Sequence, residues 1–365
     1  MKKPSPLHNW HQDHGAEFVD WGECSVPQSY GRVDLEYAAL KEGCGAVDQC
    51  HQARIRIEAN DLIGFLNAVL TADVGELKPG TCTYAFLCND RGGIVDSYLV
   101  YLDKAFALLL GSSAGRLSGV ESLRAQADKL PAMGAKIIDV TDAQGLVSLR
   151  GPLSLQAIRT IAFDQDVSME PGEGRLVTVG SAKALIIRPE GDLIEGFDIV
   201  SGSLSMFSLW EKIIDAGRVI PVTPVGQKAY ECLRIRAGVP RVGVDCGPDT
   251  TPLEINQSPR VDFQKRQFPG RRAMMHSTSS EFSRVLVSLR MDGPGETSEG
   301  GEILADQMPV GRLTSSALVP GEGHMGLGYV NSLKSSIGTR LTIRTKAGDN
   351  IPAQVVKPAF QRSTF

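Results

Sequence analysis

From Cys82 to Leu110 the chain reads as three apolar runs, Tyr84–Leu87, Ile94–Leu102 and Phe106–Leu110, split by Asn89-Asp90-Arg91-Gly92-Gly93 and by Asp103-Lys104. The runs are rich in aromatic and β-branched residues and the breaks in turn formers, which predicts a three-strand antiparallel meander. The rest of the chain is organised around it. Asp96 falls inside the middle strand, among Ile94, Val95, Leu99 and Val100. A carboxylate in that setting is costly unless it has a partner. Two readings stay open: a group reserved for chemistry, or an aspartate near a strand start held by backbone N–H groups.

A chain of 365 residues, 42% hydrophobic and 22% charged, exceeds the size at which one core usually splits, so two or three domains are expected. Its formal net charge of −4 gives no overall positive field for nucleic acid or an anionic membrane surface. The start, Met1-Lys2-Lys3-Pro4-Ser5-Pro6, lacks an apolar signal core, and no apolar run reaches the roughly 18 residues of a membrane span. A cytoplasmic protein is expected. The seven cysteines contain no Cys-x-x-Cys pair, which argues for reduced thiols and against a disulfide framework or structural zinc. His8, His11 and His14 lack the cysteine or histidine pairs that accompany a metal site, so no metal is expected.

Helices are predicted from Asp34 to about Gly43, with Leu35, Ala38 and Ala39 inward, and from Asn60 or Asp61 with Leu62, Phe65, Leu66, Val69 and Leu70 on one face. Another is predicted over Leu117–Leu130. Strands are expected at Ala53–Ile57, Lys136–Val140 and Leu146–Leu149, the last running through Gly151-Pro152 into a helix. Further helices carry Met206, Leu209, Trp210, Ile213 and Ile214, or end at Gly238 with Arg234 and Arg236 on different faces. Short links between strands and helices suggest an α+β fold rather than a doubly wound parallel sheet. Neither nucleotide-binding glycine motif is present, so a nucleotide fold has no support. Beyond about residue 282, strand signals at Arg284–Met291, Gly311–Ser316, Gly326–Val330, Arg340–Arg344 and Ala353–Lys357 predict a small antiparallel barrel.

These words resemble the glycine cleavage T-protein (aminomethyltransferase) family, which includes GcvT and the YgfZ branch. Gly92-Gly93-Ile94-Val95-Asp96-Ser97-Tyr98-Leu99-Val100-Tyr101 is similar to its Gly-Gly-Ile-x-Asp-Asp-Leu-x-Val-Tyr signature. Supporting words run from Trp21-Gly22 through Gly45-Ala46-Val47-Asp48 and Leu70-Thr71-Ala72-Asp73 to Leu77-Lys78-Pro79-Gly80, and the late words Val310-Gly311-Arg312-Leu313-Thr314-Ser315 and Gly326-Leu327-Gly328-Tyr329-Val330 extend the likeness to nearly the whole chain. The resemblance implies a multi-domain folate-binding fold: residues 1–275 as a folate-binding region of two interleaved α+β subdomains, and 280–365 as a C-terminal β-barrel.

It also implies tetrahydrofolate as cofactor, a small-molecule methylated or aminomethyl donor, and a lipoyl carrier protein as possible partner. The family's first signature aspartate, its catalytic and folate-contacting carboxylate, aligns with Asp96, and its second is Ser97 here. Its pterin-binding glutamate is replaced by Ile194, beside Leu193, with Glu195 and Asp198 as substitutes. Its folate-contacting arginine is Tyr230, and Arg234 is kept. His51 is also kept. Tyr84 and Tyr101 are candidate walls for the pterin or for the donor. The expected activity is therefore one-carbon transfer between a donor and tetrahydrofolate, with Asp96 catalytic and Tyr84, Asp96, Glu195, Asp198, Tyr230 and Arg234 binding the cofactor. The alternatives are a YgfZ-type auxiliary protein for iron–sulfur enzymes, whose reactive cysteine is missing from Phe263–Ala273, and a diverged demethylase or non-folate scaffold.

Overall fold

The computed structural model describes residues 2–163, 165–191, 194–278, 283–293 and 300–359. The N-terminal strands β1 (Lys3–Pro4), β2 (Glu17–Trp21) and β3 (Cys24–Ser29) form a small sheet, with helix α1 (His8–Asp13) between the first two. Helix α2 (Val33–Glu42) leads into β4 (Cys44–Asp48), and a turn at residues 49–52 leads into β5 (Ala53–Glu58). Helix α3 (Leu62–Val69) follows; the Asp61 carboxylate caps it by accepting from Gly64 N at 2.9 Å. The predicted meander is present as β6 (Thr81–Cys88), β7 (Ile94–Leu102) and β8 (Ala107–Gly111). After it come α4 (Arg116–Lys129), β9 (Lys136–Asp139), β10 (Gln144–Arg150), α5 (Ser154–Ile161), β11 (Glu173–Val179), β12 (Ala182–Arg188) and β13 (Gly196–Gly202). Helix α6 (Ser203–Asp215), β14 (Val222–Val225), α7 (Gln227–Arg236) and α8 (Arg271–Thr278) complete this part.

Eleven strands join in the order β14-β4-β10-β13-β12-β11-β6-β7-β8-β5-β9. The join between β11 and β6 is one residue pair, Glu173 opposite Thr81, so the array is effectively two half-sheets. The second, from β5 to β9, is inserted between β4 and β10 of the first. Helices α3 and α4 cover one face of it, burying Phe65, Leu66 and Leu123 against Ile55, Val100 and Leu109. Helices α5 and α6 cover the first half-sheet through Ile158, Leu209 and Trp210. The remaining faces look at each other: Leu99, Tyr101 and Leu110 share an apolar cluster with Leu146, Ile187 and Val200. Alternation along each strand makes this possible, since every second side chain leaves for the helices and the others line the inner face.

The C-terminal strands β15 (Arg284–Met291), β16 (Glu302–Ala305), β17 (Met308–Val319), β18 (Gly323–Asn331), β19 (Arg340–Arg344) and β20 (Asn350–Val356) close a barrel in the order β15-β18-β17-β16-β19-β20, every pair antiparallel. The α+β class with a C-terminal antiparallel barrel is as expected. One local expectation fails. Leu35 is 54% exposed, whereas Glu36, Tyr37 and Leu40 are buried. The Glu36 carboxylate is drawn in because it accepts from Ser29 Oγ, Tyr30 N and Gly226 N. The hairpin β11–β12 and strand β16 had no counterpart in the sequence reading.

Candidate active site

Strand pairing decides which residues of the meander share a face. Tyr84 lies opposite Leu99, Phe86 opposite Ser97, and Leu87 opposite Asp96. Tyr84, Leu99 and Tyr101 belong to the cluster between the half-sheets, whereas Leu87, Tyr98 and Val100 belong to the core under α3 and α4. Ser97 therefore shares the inner face with Leu99, and Asp96 points the other way.

Asp96 is fully buried beneath the start of α4. It accepts from Ser112 Oγ at 2.7 Å, from Ser97 N at 2.9 Å and from Ser112 N at 3.2 Å. Burial pushes its carboxyl up to about 7, against the lowering effect of those hydrogen bonds. A side chain on Gly115 would stand 2.3 Å from the Asp96 Cγ, so the helix comes this close only because that position has no Cβ. This placement puts the Asp96 side chain on the α4 side of β7, the face opposite to that of Leu99 and Tyr101. The alignment counted residues along the signature, but the face is set by the pairing register.

The opposite wall comes from β10 and β13. Phe197 and Ile199 face the helices, so Asp198 and Val200 face inward. Asp198 accepts from Ser148 Oγ at 2.6 Å and from Arg150 Nη2 at 2.8 Å, all three buried. Glu195 is instead held by Arg188 at 2.8 Å, whose other Nη donates to Met169 O on the outer side of the half-sheet. Of the two substitutes for the missing glutamate, Asp198 lies on the face of β13 turned toward the other half-sheet and Glu195 does not. Ile194 and Tyr230 pack against one apolar cluster that includes Phe86 and Leu233. The two positions where the resemblance implies folate ligands thus both pack on the same core. Leu193 lies outside the described residues.

Arg234 is buried and spoken for. It donates to both oxygens of Glu231 at 2.7 Å, to Asp245 Oδ2 at 2.8 Å and to Ser315 Oγ at 2.9 Å. Its work is to bind α7 to the loop at Asp245 and to β17. Tyr84 has Arg260 over its ring at 4.2 Å, and Arg260 also donates to Gly191 O at 3.4 Å, bridging the two half-sheets. Arg260 and Arg150 escaped the sequence reading because nothing local marks them. Ser97 was within reach: counting by twos from Tyr101 through Leu99 arrives at it.

The turn between β4 and β5 is fixed to β10 by Gln49 N donating to Leu146 O at 3.0 Å. Arg54 clasps the same turn, donating to Gln52 O, Cys50 O and Thr141 O. His51 is buried there beside Trp21, ring centres 5.6 Å apart, and Arg241 lies over the Trp21 ring at 4.3 Å. A cleft of about 510 Å³ on the barrel, bordered by Arg312, Tyr329 and Lys334, includes none of the expected site residues.

Two family models match in tandem. The GCVT N-terminal domain spans residues 7–265, and the glycine cleavage T-protein C-terminal barrel domain spans residues 284–361. This chain belongs to the glycine cleavage T-protein family. Among relatives of this family, aminomethyltransferase from Caldanaerobacter subterraneus subsp. tengcongensis is 27% identical, covering 100% of this chain and 97% of that protein. The Bacillus subtilis aminomethyltransferase is 28% identical over 99% and 100%. The crystal structure of the glycine cleavage system aminomethyltransferase T from Bartonella henselae superposes with a TM-score of 0.89 at 25% identity, covering 99% of each chain. As a T-protein family member, the chain is an aminomethyltransferase-like enzyme, a folate-dependent transferase of one-carbon groups.

Proposed function

We propose that this T-protein relative binds tetrahydrofolate as co-substrate in the crevice between its half-sheets, and takes the one-carbon unit there from a small methylated or aminomethyl donor. The observation that carries this reading is the pair of facing walls: Tyr84, Ser97, Leu99 and Tyr101 on one, and Ser148, Arg150, Asp198 and Val200 on the other. The residues fit a flat, polar-edged heterocycle. Arg260 covers one face of the Tyr84 ring at 4.2 Å, a cation–π contact, and the other face is the one a planar ligand would take. Tyr84 and Arg260 would hold the ring system, and the Arg150–Asp198 pair would supply polar contacts to its edge. Tetrahydrofolate, when bound, brings the amine that accepts the carbon unit. The protein's contribution is orientation and exclusion of water, which raises the value of every fixed charge and hydrogen bond inside.

Asp96 enters this reading as a positioning residue that fastens the start of α4 to β7. Glu195, Tyr230 and Arg234 act behind the wall. Residues 1–275 form the folate-binding region and 280–365 the barrel domain, and the protein works in the cytoplasm with a lipoyl carrier protein as partner where the donor is lipoyl-bound. One observation favours a second reading, a scaffold that has given up folate: Ile194 and Tyr230 make an apolar surface where the family has a glutamate and an arginine.

Titration of the purified protein with tetrahydrofolate, by calorimetry and thermal shift, separates the two. Binding to the native state stabilises it by about 2.7 kcal/mol at 100 times Kd. Saturable binding that Tyr84→Ala weakens supports the transferase reading. No binding at millimolar concentration sinks it.

A further inference from the structure

Most polar groups along the crevice are committed to protein partners. Asp198 is held by Arg150 and Ser148, Glu195 by Arg188, and Asp96 is turned under α4. The turn between β4 and β5 differs. Gln49 is 1% exposed; its Oε1 accepts from Gln52 Nε2 at 2.9 Å, yet among the described residues its own Nε2 has no partner. His51 is 7% exposed, and its buried Nδ1 has none either. Buried polar atoms without partners are uncommon in folded proteins and each calls for an explanation. Two within three residues, on a turn bonded to Leu146 of the crevice wall, mark a place kept for a polar ligand atom.

We infer, on the reading of the crevice as the tetrahydrofolate site, that His51 is a catalytic residue whose imidazole accepts the N–H of the folate amine that receives the carbon unit. As the new carbon–nitrogen bond forms, the amine N–H breaks, its electron pair stays on nitrogen and the proton passes to His51. The donor's carbon–heteroatom bond breaks with its pair on the leaving heteroatom, which takes the proton back from His51. Nothing is oxidised or reduced, and the histidine ends as it began. Gln49 Nε2 donates to an acceptor on the same ligand. The groups facing His51 are Asp48 and Arg54 on its own strand–turn–strand segment, Arg241 from the loop after α7, and Trp21 from β2. Burial first, then the two arginines against the opposing pull of Asp48, hold the imidazole down to about 4, so it is neutral and able to accept at pH 7.

The experiment uses the full chain with its histidines labelled with ¹⁵N, followed by nuclear magnetic resonance as tetrahydrofolate is added, with calorimetry in parallel. The His51 signals are those missing from His51→Asn. The unprotonated ring nitrogen of His51 should shift on saturation, as a nitrogen does when it accepts a hydrogen bond, and His51→Asn should weaken folate binding by roughly 5- to 10-fold, the loss of about one hydrogen bond. An unmoved His51 signal in wild-type protein shown by calorimetry to be saturated overturns the assignment and leaves the folate reading standing. Wild-type protein that binds no folate overturns that reading, and this assignment with it. The shift is read on the wild-type chain, and His51→Gln supplies the same assignment should His51→Asn fail to fold.

Discussion

At the scale of single residues, Asp96 shows what an apolar strand demands of a carboxylate. It was legible as an anomaly, and its cost is met as expected by donors, here Ser112 and Ser97. What could not be read was its direction. Because its folded carboxyl titrates near 7 rather than near 4, the native state keeps a proton that the unfolded chain has lost over that interval. Stability should therefore fall as pH rises from about 4 to about 7, by up to ~1.4 kcal/mol per unit from this group, and level off above. Asp96→Asn keeps an acceptor for Ser112 and removes the titration. Urea unfolding at pH 5 and pH 8 should show a smaller loss for the variant than for wild type, and equal losses would refute the account. Folate affinity should stay within about twofold of wild type, since the side chain sits outside the crevice.

At the scale of elements, α4 is placed by what it lacks. A Cβ on Gly119 would meet Tyr98 Oη at 2.2 Å, and one on Gly115 would meet the Asp96 carboxylate. In an exposed helix Gly→Ala gains about 1 kcal/mol from propensity. Here the contact outweighs it, because Tyr98 is fully buried and has nowhere to go; overpacking of this kind costs about 1–3 kcal/mol. Gly119→Ala should therefore lower the urea midpoint with the slope unchanged, and a raised midpoint would show that α4 shifts freely. The meander, α3 and five of the six barrel strands were legible because their periodicity is strong and their turns are marked by Gly, Asn and Asp. The hairpin β11–β12 was missed: its first strand, Glu173–Val179, has a mostly polar start and an exposed Leu176. Leu35 was misread because the buried stripe of α2 includes Glu36, and a carboxylate's reason to be inside lies nearly two hundred residues away at Gly226.

At the scale of the molecule, the barrel is fastened to the rest through ion pairs on α7. Asp245 accepts from Arg234, from Thr314 Oγ1 at 2.5 Å and from Ser315 Oγ at 2.7 Å, while Glu322 joins Arg236 and Lys41. Removing Arg234 leaves the Asp245 side chain buried without its counter-charge, which typically costs about 3–5 kcal/mol. Arg234→Met should lower the melting temperature by well over ten degrees or split the transition in two, and Arg234→Lys should recover only part, because lysine cannot serve Glu231 and Asp245 together. An unaltered single transition would mean that the remaining contacts, Arg236 and Lys41 with Glu322 among them, hold the barrel without Arg234.

The sequence alone determined the α+β class, the barrel, the family and the short list of chemically interesting positions, because these rest on periodicity, turn residues and motif order, all local along the chain. The tertiary structure alone decided which of those positions meet. Whether Asp96 or Ser97 faces Tyr84 depends on pairing register; whether Asp198 or Glu195 turns toward the other half-sheet depends on which face of β13 packs on the helices; and the unpartnered Gln49 and His51 become visible only when every other described donor and acceptor around them has been placed. A side chain's direction and its commitments are properties of neighbours brought together by folding, and residues distant in the chain carry no local mark of that encounter.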